Sequence, residues 1–334
     1  MLARFHLRLP FRVTIPENEQ FATWQYEDEG CLVRVFPPVG RTELREARSA
    51  DADEVRLDGV PAVQADTLRI DFQKDAFDRG KTSPCDPPEA VIGRAINYLL
   101  IRLRYVTRAA QIRPLDHPWG RWRLDYLRDD ETELEVDEGL VRGRGALAAS
   151  FSWVVLNKQI WDDVHSVPPD FDPPPWEELL IDAQADLPRI GPAVVLAATA
   201  LEVFISHTLD NLARTSTVPA PLWAWINKRG RGNYLREPTV EEQYDTLLKF
   251  FTGHSLKDEL QLWSSFQNLK TARNTFVHGG VASLGGTAVP LDTARKLVAS
   301  AGGIIATVRN WIPAELQWPV FKHSVRIQAF KKLT

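Results

Sequence analysis

Ser166-Val167-Pro168-Pro169-Asp170-Phe171-Asp172-Pro173-Pro174-Pro175 is the stretch on which the fold turns. Each proline lacks a backbone N–H and restrains the residue before it, so neither a helix nor a central strand can run through this segment. The hydrophobic period changes across it. On the N-terminal side apolar residues recur every second position, and on the C-terminal side every third or fourth. Residues 166–175 therefore read as a linker, and a chain of 334 residues exceeds the usual size of one domain.

Upstream, the alternation over Arg4–Ile15, Phe21–Tyr26, Cys31–Phe36 and Thr67–Phe72 predicts strands, with Asp28-Glu29-Gly30 as a turn. Further strands are expected over Trp122–Leu127, Glu133–Val136, Leu140–Val141 and Ser150–Leu156, with Asp137-Glu138-Gly139 closing a hairpin. One helix interrupts them. Asp86 can cap it, Pro87 and Pro88 suit its first turn, and Val91, Ile92, Ala95, Ile96, Leu99, Leu100 and Leu103 form its apolar face. Downstream, helices are expected near Trp176–Leu187, Pro192–Ala213, Thr239–Phe251, Ser255–His278 and Leu291–Ile312, with connections short enough for a bundle. The fold class is α+β: a β-rich domain with one helix over residues 1–165, then an all-α bundle over 176–312. A basic tail, 313–334, carries Lys322, Arg326, Lys331 and Lys332 and is either a returning strand or a frayed end.

Composition narrows the function classes. With 44% hydrophobic and 25% charged residues this is the make-up of a globular protein. The longest apolar stretch, Ala193–Ile205, contains Glu202 and falls short of the roughly 20 residues that cross a bilayer, so no membrane partner is expected. The opening Met1-Leu2-Ala3-Arg4-Phe5-His6-Leu7-Arg8 interleaves basic residues and has no apolar core with a cleavage site, and a cytoplasmic protein is expected. Cys31 and Cys85 cannot build a disulfide framework or a four-cysteine zinc site, and neither a metal nor a cofactor is anticipated. Net charge is −7 over residues 1–174 and +3 over 175–334, so a polyanion would prefer the second half.

The chemistry-bearing residues gather on the fourth bundle helix. Ser255 and Asp258 suit its start, Gly279-Gly280 its stop, and Arg273 and His278 fall in its final turns. At about 100° per residue, Arg273 shares a stripe with Leu262, Phe266 and Leu269 and so faces the core. A charge there needs a partner. Glu202, in line with Val195 and Leu209 on the second bundle helix, is the candidate. Such a pair can lock two helices in register without any catalytic role. A second stripe is polar: Gln267, Thr271, Asn274 and His278 align at spacings of four, three and four. It is either a solvated face or, with Arg273 beside it, a place where a fixed cation, an amide and a group titrating near neutrality meet at one helix end.

Arg273-Asn274-Thr275-Phe276-Val277-His278, with Ala200-Leu201-Glu202 in an apolar helix upstream, resembles the HEPN superfamily, whose signature is Arg-x4-6-His, often with Asn after the Arg. The resemblance covers about Trp176–Ile312 and implies a HEPN-like helical bundle. In catalytic members it implies a metal-independent endoribonuclease, working as a homodimer that joins two Arg/His motifs in defence or stress response. Carried over, His278 would be the general acid or base, Arg273 would hold the scissile phosphate, Asn274 would orient either, and Glu202 would steady Arg273. Some toxin members carry Tyr two residues after the His. Here that position is Gly280. A non-catalytic dimerisation or ligand-binding scaffold is the competing expectation.

RNA is thus the expected partner. Lys228, Arg229, Arg231, Tyr234 and Arg236, in an acid-free basic loop after Trp223 and Trp225, are the first candidates to touch it. Residues 143–148 match a dinucleotide fingerprint only formally, since no helix follows. Asp162, Asp163 and His165 on a short helix read as a solvated face ahead of a metal site. Trp119, Trp122 and Trp153 pack a core or line a groove, and an unknown ligand or protein for the β-rich domain stays open, with the bundle then serving only to dimerise it.

Overall fold

The computed structural model describes residues 2–17, 19–39, 54–73, 87–117, 119, 122–127, 153–168, 171–231, 234–323 and 327–330. The chain is α+β and forms two compact units, Met1–Phe171 with Val320–Thr334, and Asp172–Pro319. The first boundary falls inside the proline-rich segment. The expected strands over 133–136 and 140–141, the Asp137-Glu138-Gly139 turn, the 143–148 fingerprint and the Asp86 cap lie outside the described residues.

The long strand β1 (Leu2–Pro16) organises the first unit. Ala3, Phe5, Leu7, Leu9, Phe11 and Val13 alternate into the core, each large side chain contributing about 1.5–3 kcal/mol of burial, while Arg4, His6 and Arg8 take the opposite face. β2 (Trp24–Asp28) and β3 (Cys31–Val35) form a hairpin whose turn residues Glu29 and Gly30 both have positive φ, the conformation that matches strand twist. β4 (Glu54–Leu57) and β5 (Val60–Gln73) repeat this around Asp58 and Gly59. β5 pairs antiparallel with β1 from Leu2↔Gln73, with a register shift between Arg8 and Val13.

α1 (Glu89–Thr107) buries the expected apolar face, and its Tyr98 ring stacks on Tyr26 and meets Trp24 edge-on. β6 (Trp122–Leu127) pairs antiparallel with the other side of β1, and β7 (Trp153–Val155) joins β1 in parallel. Trp119 and Trp122 pack on Phe5 at 5.6 Å, with Trp119 buried in the core and Trp122 half-buried. α2 (Lys158–Ser166) starts at the Asn157 cap, whose side chain accepts from the Ile160 N–H.

In the helical unit α3 (Pro175–Ala185), α4 (Ile190–Thr215), α8 (Leu260–Gly279) and α9 (Leu291–Arg309) build the core, with α4 against the other three. By length and composition α4 could cross a membrane. In this fold its Ala193, Val194, Ala197, Leu201, Phe204 and Ile205 are core residues of the unit. Connecting α4 to α8 are α5 (Ala220–Asn227), which buries no residue, a hairpin of β8 (Arg229–Arg231) and β9 (Tyr234–Arg236), and a broken helix. That helix begins at a Thr239/Glu242 capping box as α6 (Val240–Glu242), widens into a π turn over Gln243–Leu247, and resumes as α7 (Leu248–Thr252). A short hairpin, β10 (Ser283–Leu284) with β11 (Thr287–Ala288), follows α8.

The tail carries on past the end expected for the bundle. A 3-10 turn at Ala314–Leu316 leads to Trp318, whose ring packs on Trp176 and Phe204 at 5.0 and 5.6 Å. β12 (Ile327–Phe330) then pairs antiparallel with β4, so the last strand belongs to the first unit's sheet.

Candidate functional site

The hexapeptide 273–278 lies in the last turns of α8, and its six residues do different things. Thr275 clasps the β10 turn: its hydroxyl accepts from the Ser283 N–H at 2.8 Å and lies 3.0 Å from the Ala272 carbonyl. Phe276 lies against α4 so closely that a Cβ on Gly191 would come within 2.0 Å of its ring. Only glycine permits that approach. Val277 and His278 are exposed, and among the described residues no hydrogen bond or ion pair holds His278. Gly280 closes the helix at φ 73°, with its N–H on the Phe276 carbonyl at 2.8 Å. A side chain would be strained in that left-handed conformation.

Arg273 and Asn274 point elsewhere, into a cavity of about 170 Å³. Its apolar lining is Ala198, Leu201, Val240, Phe266 and Leu269, and its polar lining Glu202, Lys270, Arg273 and Asn274. The Arg273 Nη1 donates to Asn274 Oδ1 at 3.0 Å, and the Nε is buried without a partner. The expected Glu202–Arg273 pair is not formed: among the described residues no bond or ion pair joins them, nor does any other hold the Glu202 carboxylate. The helical phase placed both residues on inward faces, but the cavity separates the groups that phase alone would have joined. Ser255, expected to start the fourth helix, instead caps a 3-10 turn (Leu256–Asp258), and α8 begins at Leu260.

One residue that lines the cavity and one bonded behind its wall went unnoticed in the sequence. Lys270 lines the cavity and is held by Glu241. Burial alone would push the Glu241 carboxyl up, but the hydrogen bond and charge of Lys270 reverse this and hold it below the usual range. Its signal was available: Lys270 sits one helical turn before Asn274. Tyr244, in the π turn, is fully buried and donates from its hydroxyl to the Leu201 carbonyl at 2.9 Å. Burial pushes its phenol well above the ordinary value, and the nearby charge of Glu202 adds to that. A π turn at a functional site is a recurrent association, but nothing in Gln243–Leu247 announces one.

The basic loop is a hairpin. In its backbone register Arg229 lies opposite Arg236 and Arg231 opposite Tyr234, while Lys228, exposed, ends α5. Asp162, Asp163 and His165 are individually committed: Lys158 pairs with Asp162 at 2.5 Å, His323 with Asp163 at 3.3 Å, and the His165 ring stacks on Trp24 at 5.3 Å. Among the described residues no group of three or more His, Cys, Asp or Glu side chains could hold a metal ion.

Comparison with protein-family models, with curated proteins and with solved structures finds no match.

Proposed function

We propose that the helical unit is a HEPN-like RNA-binding module that cleaves RNA without a metal, acting in the cytoplasm as a homodimer, with a defence or stress role. The observation that carries this reading is Arg273: a half-buried guanidinium tied to Asn274, opening on a cavity and forming no ion pair among the described residues. Its free N–H groups suit a phosphate, which the guanidinium fork binds through paired charge-assisted hydrogen bonds. His278 is exposed and so accessible to a second protomer, where an imidazole serves as general acid or base. Arg229, Arg231 and Arg236, together on the hairpin, supply further backbone contacts to the strand.

The test is cleavage in EDTA. Wild-type protein should cut single-stranded RNA to leave 2′,3′-cyclic phosphate ends, with Arg273→Ala and His278→Ala each reducing the rate at least 100-fold. Equal rates in all three would end the enzymatic reading. A non-catalytic, RNA- or ligand-binding scaffold is favoured by one feature, the placement of His278 outside the cavity that holds Arg273. In that case His278→Ala changes neither binding nor stability, whereas Arg273→Ala abolishes binding.

A further inference from the structure

The cavity walls offer an unusual set of free groups. The Glu202 side chain offers hydrogen-bond acceptors, and among the described residues no donor reaches it. A guanidinium can only donate, so the Asn274 oxygen must face Arg273, which leaves the Asn274 Nδ2 to donate into the cavity. Lys270 is committed to Glu241. One acceptor and one amide donor thus border a space floored by Leu201, Phe266 and Leu269. Apolar walls accept a ring face, and polar groups at the rim fix its edge.

Size and donor order narrow the ring. An apolar cavity of about 150 Å³ accepts benzene. At about 170 Å³ this one suits a single six-membered heterocycle and is small for a purine. Cytosine presents an exocyclic amine, which carboxylates accept from, next to the acceptors N3 and O2. Uracil would turn a carbonyl oxygen toward Glu202 in place of that amine. We infer that the cavity is a base-recognition pocket that takes an unstacked cytosine of the bound RNA, with Glu202 on the exocyclic amine and Asn274 on the ring acceptors. This rests on the RNA reading above. It leaves the Arg273 Nη2 for the adjoining phosphate, so base and phosphate are read side by side.

Binding of labelled octamers of rC, rU, rA and rG to the full chain, followed by fluorescence anisotropy at low salt, decides the matter. The rC octamer should bind about tenfold more tightly than rU, and cytidine monophosphate should displace it better than uridine monophosphate does. Glu202→Gln keeps the shape, removes the charge and adds a donor, and should bring rC and rU within about twofold while melting like wild type. Equal binding of rC and rU by wild type, no difference between the two monophosphates, or a preference that survives in Glu202→Gln overturns the cytosine pocket while leaving RNA binding intact. If none of the four octamers binds, the RNA reading and the pocket fall together.

Discussion

Asp71 in the β-rich unit and Glu202 in the helical unit are both carboxylates set among cationic side chains, and the two are treated in opposite ways. Asp71 is 2% exposed and gripped by two forks: Arg4 donates from Nε and Nη2 at 3.0 and 3.1 Å, and Arg69 from the same atoms at 3.0 and 2.6 Å. Burial alone would raise the Asp71 carboxyl, but the hydrogen bonds from Arg69 and Arg4 more than offset this and hold it below the ordinary range. Glu202 shares a cavity with Arg273 and Lys270 and is bonded to neither. The same pattern runs through the neighbourhoods: Arg8 meets Asp66 at 3.2 Å and Arg94 meets Asp28 at 2.9 Å, while Arg273 keeps a buried N–H without a partner. A carboxylate whose lone pairs are all taken belongs to the frame of a protein. One left open beside an unneutralised cation marks where something else is meant to bind.

Substitutions can break this contrast. The largest effect is expected from Asp71→Asn, which leaves two part-buried arginines facing a neutral amide and should cost about 3 kcal/mol in urea unfolding of the full chain. Next is Gly191→Ala. Its added Cβ must displace the Phe276 ring, so the helical unit should lose about 1–3 kcal/mol, read as a lower melting temperature. The pH response should be smaller and confined to the β-rich unit. His6 is held below its ordinary value first by burial, with Asp125 opposing and Arg123, Arg4 and Arg69 adding to it. The unfolded chain therefore takes up that proton before the folded one does, and stability falls as pH drops below about 6.5. Asp71 adds a second loss below about pH 4, where its unfolded form protonates first. His6→Gln should remove the upper step of the melting profile and keep the lower. Smallest of all, Glu202→Gln should shift stability by less than about 0.5 kcal/mol. A loss as large as that of Asp71→Asn would show Glu202 to be frame after all and cancel the distinction.

How much of this was legible in the sequence follows from which interactions are local. The alternation that predicted strands over 4–15, 21–26 and 31–36 is the pattern that β1, β2 and β3 bury. The hairpin at Asp58-Gly59 was equally readable, since both residues suit positive φ, yet β4 is too short to show a period. α5 escaped because a helix with no buried residue leaves no stripe. For the site, helical phase correctly turned Arg273 and Glu202 inward. It could not say how far apart the two helix faces stand, because that distance is set by Phe266, Leu269 and Val240 packing around a space none of them fills.

The pairing of β12 with β4 has a consequence for synthesis. Residues 172–319, the whole helical unit, leave the ribosome before Ile327–Phe330 can complete the sheet begun some 270 residues earlier. At about 5–20 residues per second, the completed helical unit precedes that strand by about a second, and β4 precedes it by roughly 15–50 seconds. During that interval β4 waits with one edge open, so this sheet is completed only after the helical unit has been made.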